Sequence, residues 1–275
     1  MIDPLADPVL LDGRYELGPL LGVGASARVH RAYDRLLDRP VAIKLFRRDV
    51  YAMDLVRVVA EVRCLMALHH PNVVTLHDSV AGEDLLLSYL VLELVDGPTL
   101  AAFCADGPVN PARVSQIGHE LGSALAHVHA HGMVHHDVKP ANVVLGSDGH
   151  VRLLDFGVVH QLSPGSTPAP LSEFTIGTAP YLAPEQVRRH EVGAPADIYA
   201  LGLVLLECLT GHREYHGAPV ACALARLDHP PVIPAALPAP WPVLLGAMTA
   251  PEPASRPTAA AVEQWLAPAA RAAAA

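Results

Sequence analysis

Two kinds of hydrophobic periodicity divide the chain near residue 95, and that division limits the fold more than any single residue does. Before it, short runs of alternating or β-branched residues read as strands: Tyr15-Glu16-Leu17, Arg28-Val29-His30 and Val41–Phe46, with further runs near 73–79 and 85–94. One helix interrupts them. Leu55, Val58, Val59, Val62, Leu65 and Met66 recur at helical spacing, which predicts a helix over 53–68 that His70-Pro71-Asn72 ends. Asp38-Arg39-Pro40 reads as a turn. After Asp96-Gly97 the pattern becomes helical. Asn110-Pro111 is an N-cap followed by a first-turn proline, and Val114, Ile117, Leu121, Leu125 and Val128 form the stripe behind it. A second apolar helix over 196–210 stops at Gly211. Residues 163–180, rich in Pro, Ser and Thr, read as a loop, and the proline-dense 230–242 as an ordered connection between helices. A strand-rich part followed by a helix-rich part is the pattern of an α+β protein with two lobes. The expected boundaries are a short polar lead over 1–13, a domain over 14–268, and a flexible tail over 269–275.

Composition removes several function classes. The formal charge is −9, which argues against nucleic acid as a partner, since phosphate binding needs concentrated Lys and Arg. Cys64, Cys104, Cys208 and Cys222 show no C-x-x-C spacing and read as buried free thiols of a reducing compartment. No apolar run reaches the roughly 20 residues needed to span a bilayer. Residues 1–10 carry Asp3, Pro4, Asp7 and Pro8 without a basic start, unlike a signal peptide. The expected location is the cytoplasm.

Three segments carry chemistry. Gly22-Val23-Gly24-Ala25-Ser26-Ala27 lies between strand-like runs, and its glycines could let backbone N–H groups approach phosphate, although an ordinary hairpin turn fits equally well. Lys44, within Val-Ala-Ile-Lys, sits mid-strand among apolar neighbours and needs a counter-charge. Glu61 shares a helix face with Val58 and Leu65 and needs a cation; a buried pair, or two unrelated surface charges, would satisfy that pattern. The strongest segment is His135-His136-Asp137-Val138-Lys139-Pro140-Ala141-Asn142, followed after a strand-like run by Asp155-Phe156-Gly157. A carboxylate, a cation and oxygen ligands for a hard metal are the set that phosphoryl transfer uses.

Taken together, these segments resemble the eukaryotic-type (Hanks-type) serine/threonine protein kinase family, particularly its bacterial members. The resemblance runs from about Tyr15 to Leu266 and includes Gly177-Thr178-Ala179-Pro180-Tyr181-Leu182-Ala183-Pro184-Glu185, Asp197–Gly202 and Arg256 in Ser-Arg-Pro. It implies a bilobal kinase-like fold: an N-lobe over 14–95 with five strands and a main helix, and a helical C-lobe over 96–268. It implies ATP with Mg²⁺ (or Mn²⁺), and protein substrates bearing Ser or Thr. Asp137 would orient the acceptor hydroxyl and Lys139 would steady the γ-phosphoryl, the lysine being a serine/threonine-type signature. Asn142 and Asp155 would hold metal, and Lys44 with Glu61 would fix the phosphates. Leu21, Gly22, Gly24, Val29, Ala42 and Val144 would surround the nucleotide, with Leu92 as gatekeeper and Glu93 to Val95 as the adenine-binding hinge. Leu65, Leu76, His135 and Phe156 would stack as an internal spine, Asp197 would brace the catalytic loop, and Glu185 would pair with Arg256.

Two departures stand out. Ala27 takes the third glycine position of the loop, and His136 stands where most regulated members carry an arginine that clamps an activation-loop phosphate. Histidine lacks the bidentate fork, so the resemblance implies autophosphorylation among Ser163, Ser166, Thr167, Ser172 and Thr175 with only a weak effect on activity. Two other readings share parts of this pattern: a pseudokinase scaffold, against which the intact Lys44, Asp137, Asn142 and Asp155 count, and a small-molecule phosphotransferase, which would lack the 177–185 segment.

Overall fold

The computed structural model describes residues 9–24, 27–46, 52–81, 88–156, 160–161 and 177–273. Two compact units emerge, one from residues 1–69 and 74–94, the other from 70–73 and 95–275.

The first unit is an antiparallel sheet with a helix. Its strands are β1 (Leu10–Leu11), β2 (Tyr15–Val23), β3 (Ala27–Asp34), β4 (Arg39–Phe46), β5 (Leu76–Ala81) and β6 (Ser88–Glu93), in the order β1-β2-β3-β4-β6-β5, and its helix is α1 (Ala52–Ala67). Alternation along β4 does the organising. Val41 and Ile43 face a core formed with Tyr15, Ala32, Tyr89 and Val91, while Ala42 and Lys44 are buried on the opposite face. The sequence reading differs at three places. Leu10 and Leu11 lie inside the expected lead, yet pair with Glu16 and Tyr15, because Asp12 (φ 49°) and Gly13 (φ 66°) take the left-handed conformations of a tight turn. β1 is therefore a sixth strand where five were expected. The turn expected at Asp38-Arg39-Pro40 lies earlier, over 35–38, and Pro40 is already paired with Tyr33. The carboxylate of Asp34 shapes that turn by accepting from the N–H groups of Leu36 and Leu37 at 3.1 and 3.2 Å.

The second unit is mainly helical. It contains α2 (Leu100–Phe103), α3 (Pro111–Ala130), α4 (Pro184–Arg188), α5 (Ala194–Thr210), α6 (Pro219–Asp228), α7 (Trp241–Met248) and α8 (Ala259–Ala273). Short strands β7 (Met133–Val134), β8 (Val143–Leu145), β9 (Val151–Leu153) and β10 (His160–Gln161) form two small ribbons, β7 with β10 and β8 with β9. Asn110 caps α3 as expected, its Oδ1 accepting from Ala112 N at 2.9 Å. The predicted stripe Val114, Ile117, Leu121, Leu125 and Val128 is fully buried. α8 packs closely on α3 because Gly118 and Gly122 leave room: a Cβ at Gly118 would stand 2.6 Å from the Leu266 side chain. Gly211 (φ 77°) ends α5, and its N–H returns to Glu207 O at 2.7 Å. α8 continues to Ala273, well into the segment expected as a flexible tail; its run of alanines has the highest helix propensity of any residue. Among the described residues no helix is long and apolar enough to cross a membrane.

Arg14 grips Asp34 with two hydrogen bonds, Nε to Oδ1 at 2.8 Å and Nη2 to Oδ2 at 2.7 Å. This guanidinium, aided by the N–H groups of Leu37 and Leu36 and opposed by burial, lowers the Asp34 carboxyl to about 2. A depressed acid stabilises the fold above its unfolded value of 3.8, and that contribution is lost as pH falls through about 2. Thermal melts of Asp34→Asn should therefore show a Tm several degrees below wild type at pH 7, with the gap narrowing as pH falls from about 4 towards 2. A gap independent of pH would contradict the assignment.

Candidate active site

The segment 135–142 is suspended from the buried carboxylate of Asp197, in the first turn of α5. Oδ2 accepts from His135 N and Oδ1 from His136 N, each at 2.8 Å. His136 has φ 64°, a conformation uncommon for residues with a side chain, and Asp155 (φ 60°) shares it. His129, in the last turn of α3, places Nε2 2.8 Å from Asp197 Oδ2. Burial pushes the Asp197 carboxyl up, but the hydrogen bond from His129 and the electrostatic influence of His129, His136 and His135 outweigh it and hold the group below its ordinary value.

His135 is a core residue, as the resemblance implied. Its Nε2 lies 3.0 Å from Leu154 O, and its Nδ1 accepts from Asp137 N at 3.3 Å, which together select the tautomer with hydrogen on Nε2. Its ring meets the fully buried Phe156 edge-on, 4.8 Å between centroids.

Asp137 is the hub of the next layer. Lys139 Nζ donates to its Oδ2 at 2.7 Å, and Asn142 Nδ2 donates to the same oxygen and to Asp137 O, both at 2.9 Å. The Thr178 hydroxyl donates to Asp137 Oδ1 at 2.9 Å and accepts from Lys139 Nζ at 3.0 Å. The result is a carboxylate holding a hydroxyl beside an ammonium. Since Asn142 turns its amide NH₂ toward Asp137, its amide oxygen is left for another partner. Leu154 N donates to Asn142 O at 2.8 Å, and the exposed Asp155 is the next residue in the chain. An amide oxygen and a carboxylate suit a hard divalent cation. Gly157 and the candidate phosphorylation sites Ser163, Ser166, Thr167, Ser172 and Thr175 lie outside the described residues.

The segment 177–185 is fastened further on. Glu185 and Arg256 form a buried bidentate pair at 2.6 and 2.8 Å, and Arg256 also reaches Pro195 O at 2.9 Å.

In the first unit, Lys44 Nζ bonds Glu61 Oε1 at 2.6 Å with both residues buried, so of the two readings left open by the sequence the buried pair holds. Leu21 is exposed at the end of β2, Gly22 pairs with Val29 of β3, and Gly24 N donates to Ala27 O at 2.8 Å. Ala42 is buried on β4 opposite Leu92 of β6, and Glu93 closes β6 with its N–H on Thr75 O at 2.8 Å. Val95 follows that strand, half-buried, and Val144 is buried in β8 of the second unit.

Sequence reasoning missed three supports. His129 was one histidine among 16, and only the register of α3 against α5 singles it out. Glu120 is buried and accepts from Val151 N at 2.7 Å, Gln116 Nε2 at 3.0 Å and Asn72 Nδ2 at 3.3 Å; an acid on the apolar stripe of α3 was the available signal. Arg226 is the third.

The protein kinase domain profile matches residues 15–265. The chain is 40% identical over 237 residues, 84% of its length, to the serine/threonine-protein kinase PknB of Mycolicibacterium smegmatis, and 39% identical over 223 residues to the serine/threonine-protein kinase PrkC of Bacillus subtilis. The matches cover 38% and 34% of those relatives, so the chain spans well under half of their length. This chain belongs to the protein kinase domain family, whose members use ATP and a divalent cation.

Asp197→Ala should orphan the N–H groups of His135 and His136, at a cost of about 1–3 kcal/mol each. A clear drop in Tm together with loss of phosphoryl transfer is expected in calorimetry and a labelled-ATP assay. Full activity in a stable variant would refute the suspension of the loop from this carboxylate.

Proposed function

We propose that the chain transfers the γ-phosphate of ATP to serine or threonine side chains of proteins, with Mg²⁺ or Mn²⁺ as the cation. The observation that supports this most directly is Asp137 bonded at once to a hydroxyl and an ammonium. An acceptor hydroxyl needs the same two partners: a carboxylate to orient it and take its proton, and a cation beside the phosphoryl that moves. On this reading Asp137 Oδ1 receives the acceptor hydroxyl, and Lys139 steadies charge on the transferring group. Lys44, held straight by Glu61, reaches the phosphates. Asn142 and Asp155 hold the cation, which when bound neutralises charge on the phosphate oxygens. Leu21, Gly22, Gly24, Val29, Ala42, Leu92, Glu93, Val95 and Val144 line the nucleotide site. The residues from Gly177 to Glu185 dock the acceptor peptide.

Purified protein incubated with labelled ATP and Mg²⁺, then analysed by mass spectrometry, tests the activity. Asp155→Asn should abolish transfer, and Asp137→Asn should lower kcat by about 10²–10⁴-fold with ATP affinity retained. Unchanged turnover in Asp137→Asn would remove the catalytic assignment. Nucleotide binding without any turnover in the wild type would favour the scaffold reading instead.

His136 offers at most one ordinary donor to a phosphate where arginine offers a fork, so activity should depend little on phosphorylation of 163–178. Treating the enzyme with phosphatase, or changing Ser166, Thr167, Ser172 and Thr175 to Ala, should alter kcat/KM by less than about tenfold at pH 7.5. A larger loss would mean that another cation does the clamping.

A further inference from the structure

Arg226 carries a buried guanidinium that the chemistry above does not use. It lies in the last turn of α6, only 5% exposed, and all five of its N–H donors end on backbone carbonyls. Nη2 bonds Ala179 O at 2.6 Å and Cys222 O at 2.9 Å; Nη1 bonds Pro180 O at 3.3 Å and also Leu182 O; Nε bonds Ala223 O at 3.0 Å. None of these partners is a carboxylate. Beneath the guanidinium lies the Tyr215 ring, 4.5 Å from Cζ, and the Tyr215 hydroxyl is fixed by donating to His229 O at 3.0 Å.

A buried cation without an anion is costly unless its bonds are needed. Three of the five bonds go to the chain directly after Thr178, at residues 179, 180 and 182. Thr178 in turn touches Asp137 and Lys139. A planar fork spreads five donors over three nitrogens in one rigid plane, whereas a lysine's three donors radiate from a single nitrogen and cannot reach all five carbonyls. The two bonds to Cys222 and Ala223 lock the fork to its own helix, so the carbonyls are held against α6 as a rigid unit.

We propose that Arg226 is a positioning residue for the protein substrate: it sets the peptide-docking segment 179–182 in register with Asp137, so that its loss weakens acceptor binding while leaving the handling of ATP intact. This inference rests on the kinase reading. Transfer to peptide by the wild type tests that reading separately from the role of Arg226.

The test uses the full chain and the best acceptor from a Ser/Thr peptide library. Arg226→Met keeps the bulk and removes every donor. It should raise the KM for peptide at least about tenfold, equivalent to about 1.4 kcal/mol. The KM for ATP and peptide-independent ATP hydrolysis should stay within about twofold of wild type. Arg226→Lys, with charge but no fork, should fall between. Val220→Ala, on the exposed face of the same helix, should change nothing. A peptide KM unaffected by Arg226→Met overturns the proposal, and so does a parallel loss of ATP hydrolysis. If Arg226→Met does not fold, Arg226→Lys decides: wild-type peptide KM in that variant overturns it equally.

Discussion

The carboxylate of Asp197 is the constraint on which the candidate site hangs. Two successive N–H groups, from His135 and His136, point at its two oxygens, and His129 bonds it from α3. A backbone that turns through φ 64° at His136 gains from something that holds it there, because a side-chain-bearing residue adopts that conformation infrequently. Only then does Asp137 come round to meet Lys139, Asn142 and Thr178. The buried acid, destabilised by desolvation, keeps its charge because two backbone N–H groups and the His129 ring bond its oxygens.

The buried cations follow two different rules. Lys44 with Glu61 and Arg256 with Glu185 are matched pairs, in which each ion compensates the desolvation of the other. Arg226 is compensated by carbonyl dipoles and an aromatic face instead. The two arginines grip the same stretch from either end: Arg226 holds 179–182 by backbone, and Arg256 holds Glu185 by side chain. The stretch 179–185 is held by these flanking contacts, since its own short helical turns supply few bonds.

Much of this was legible in the sequence where a local rule applied. The Asn110 cap, the buried stripe of α3, the stop at Gly211 and the helix 53–68 (found as Ala52–Ala67) all follow from capping chemistry and periodicity. The misses had local causes too. Leu10-Leu11-Asp12-Gly13 is a hairpin signal behind a polar lead, and the alanines of α8 occupy the place of an expected tail although their propensity favours helix.

What the sequence by itself determined is the inventory of reactive groups: a carboxylate, a cation and an amide with a second carboxylate in a fixed order, with a lysine and a glutamate on two separate elements. What tertiary structure alone decided is who meets whom. Lys44 and Glu61 are 17 residues apart and Asp137 and Thr178 41 apart, while 62 residues separate His135 from Asp197 and 71 separate Glu185 from Arg256. Local periodicity fixes which face of an element is apolar, but the rotation and offset of one helix against another are set by packing at positions such as Gly118 and Gly122. His129 and Arg226 acquire their roles from that packing, because nothing in their own segments distinguishes them from an exposed histidine or a solvated arginine.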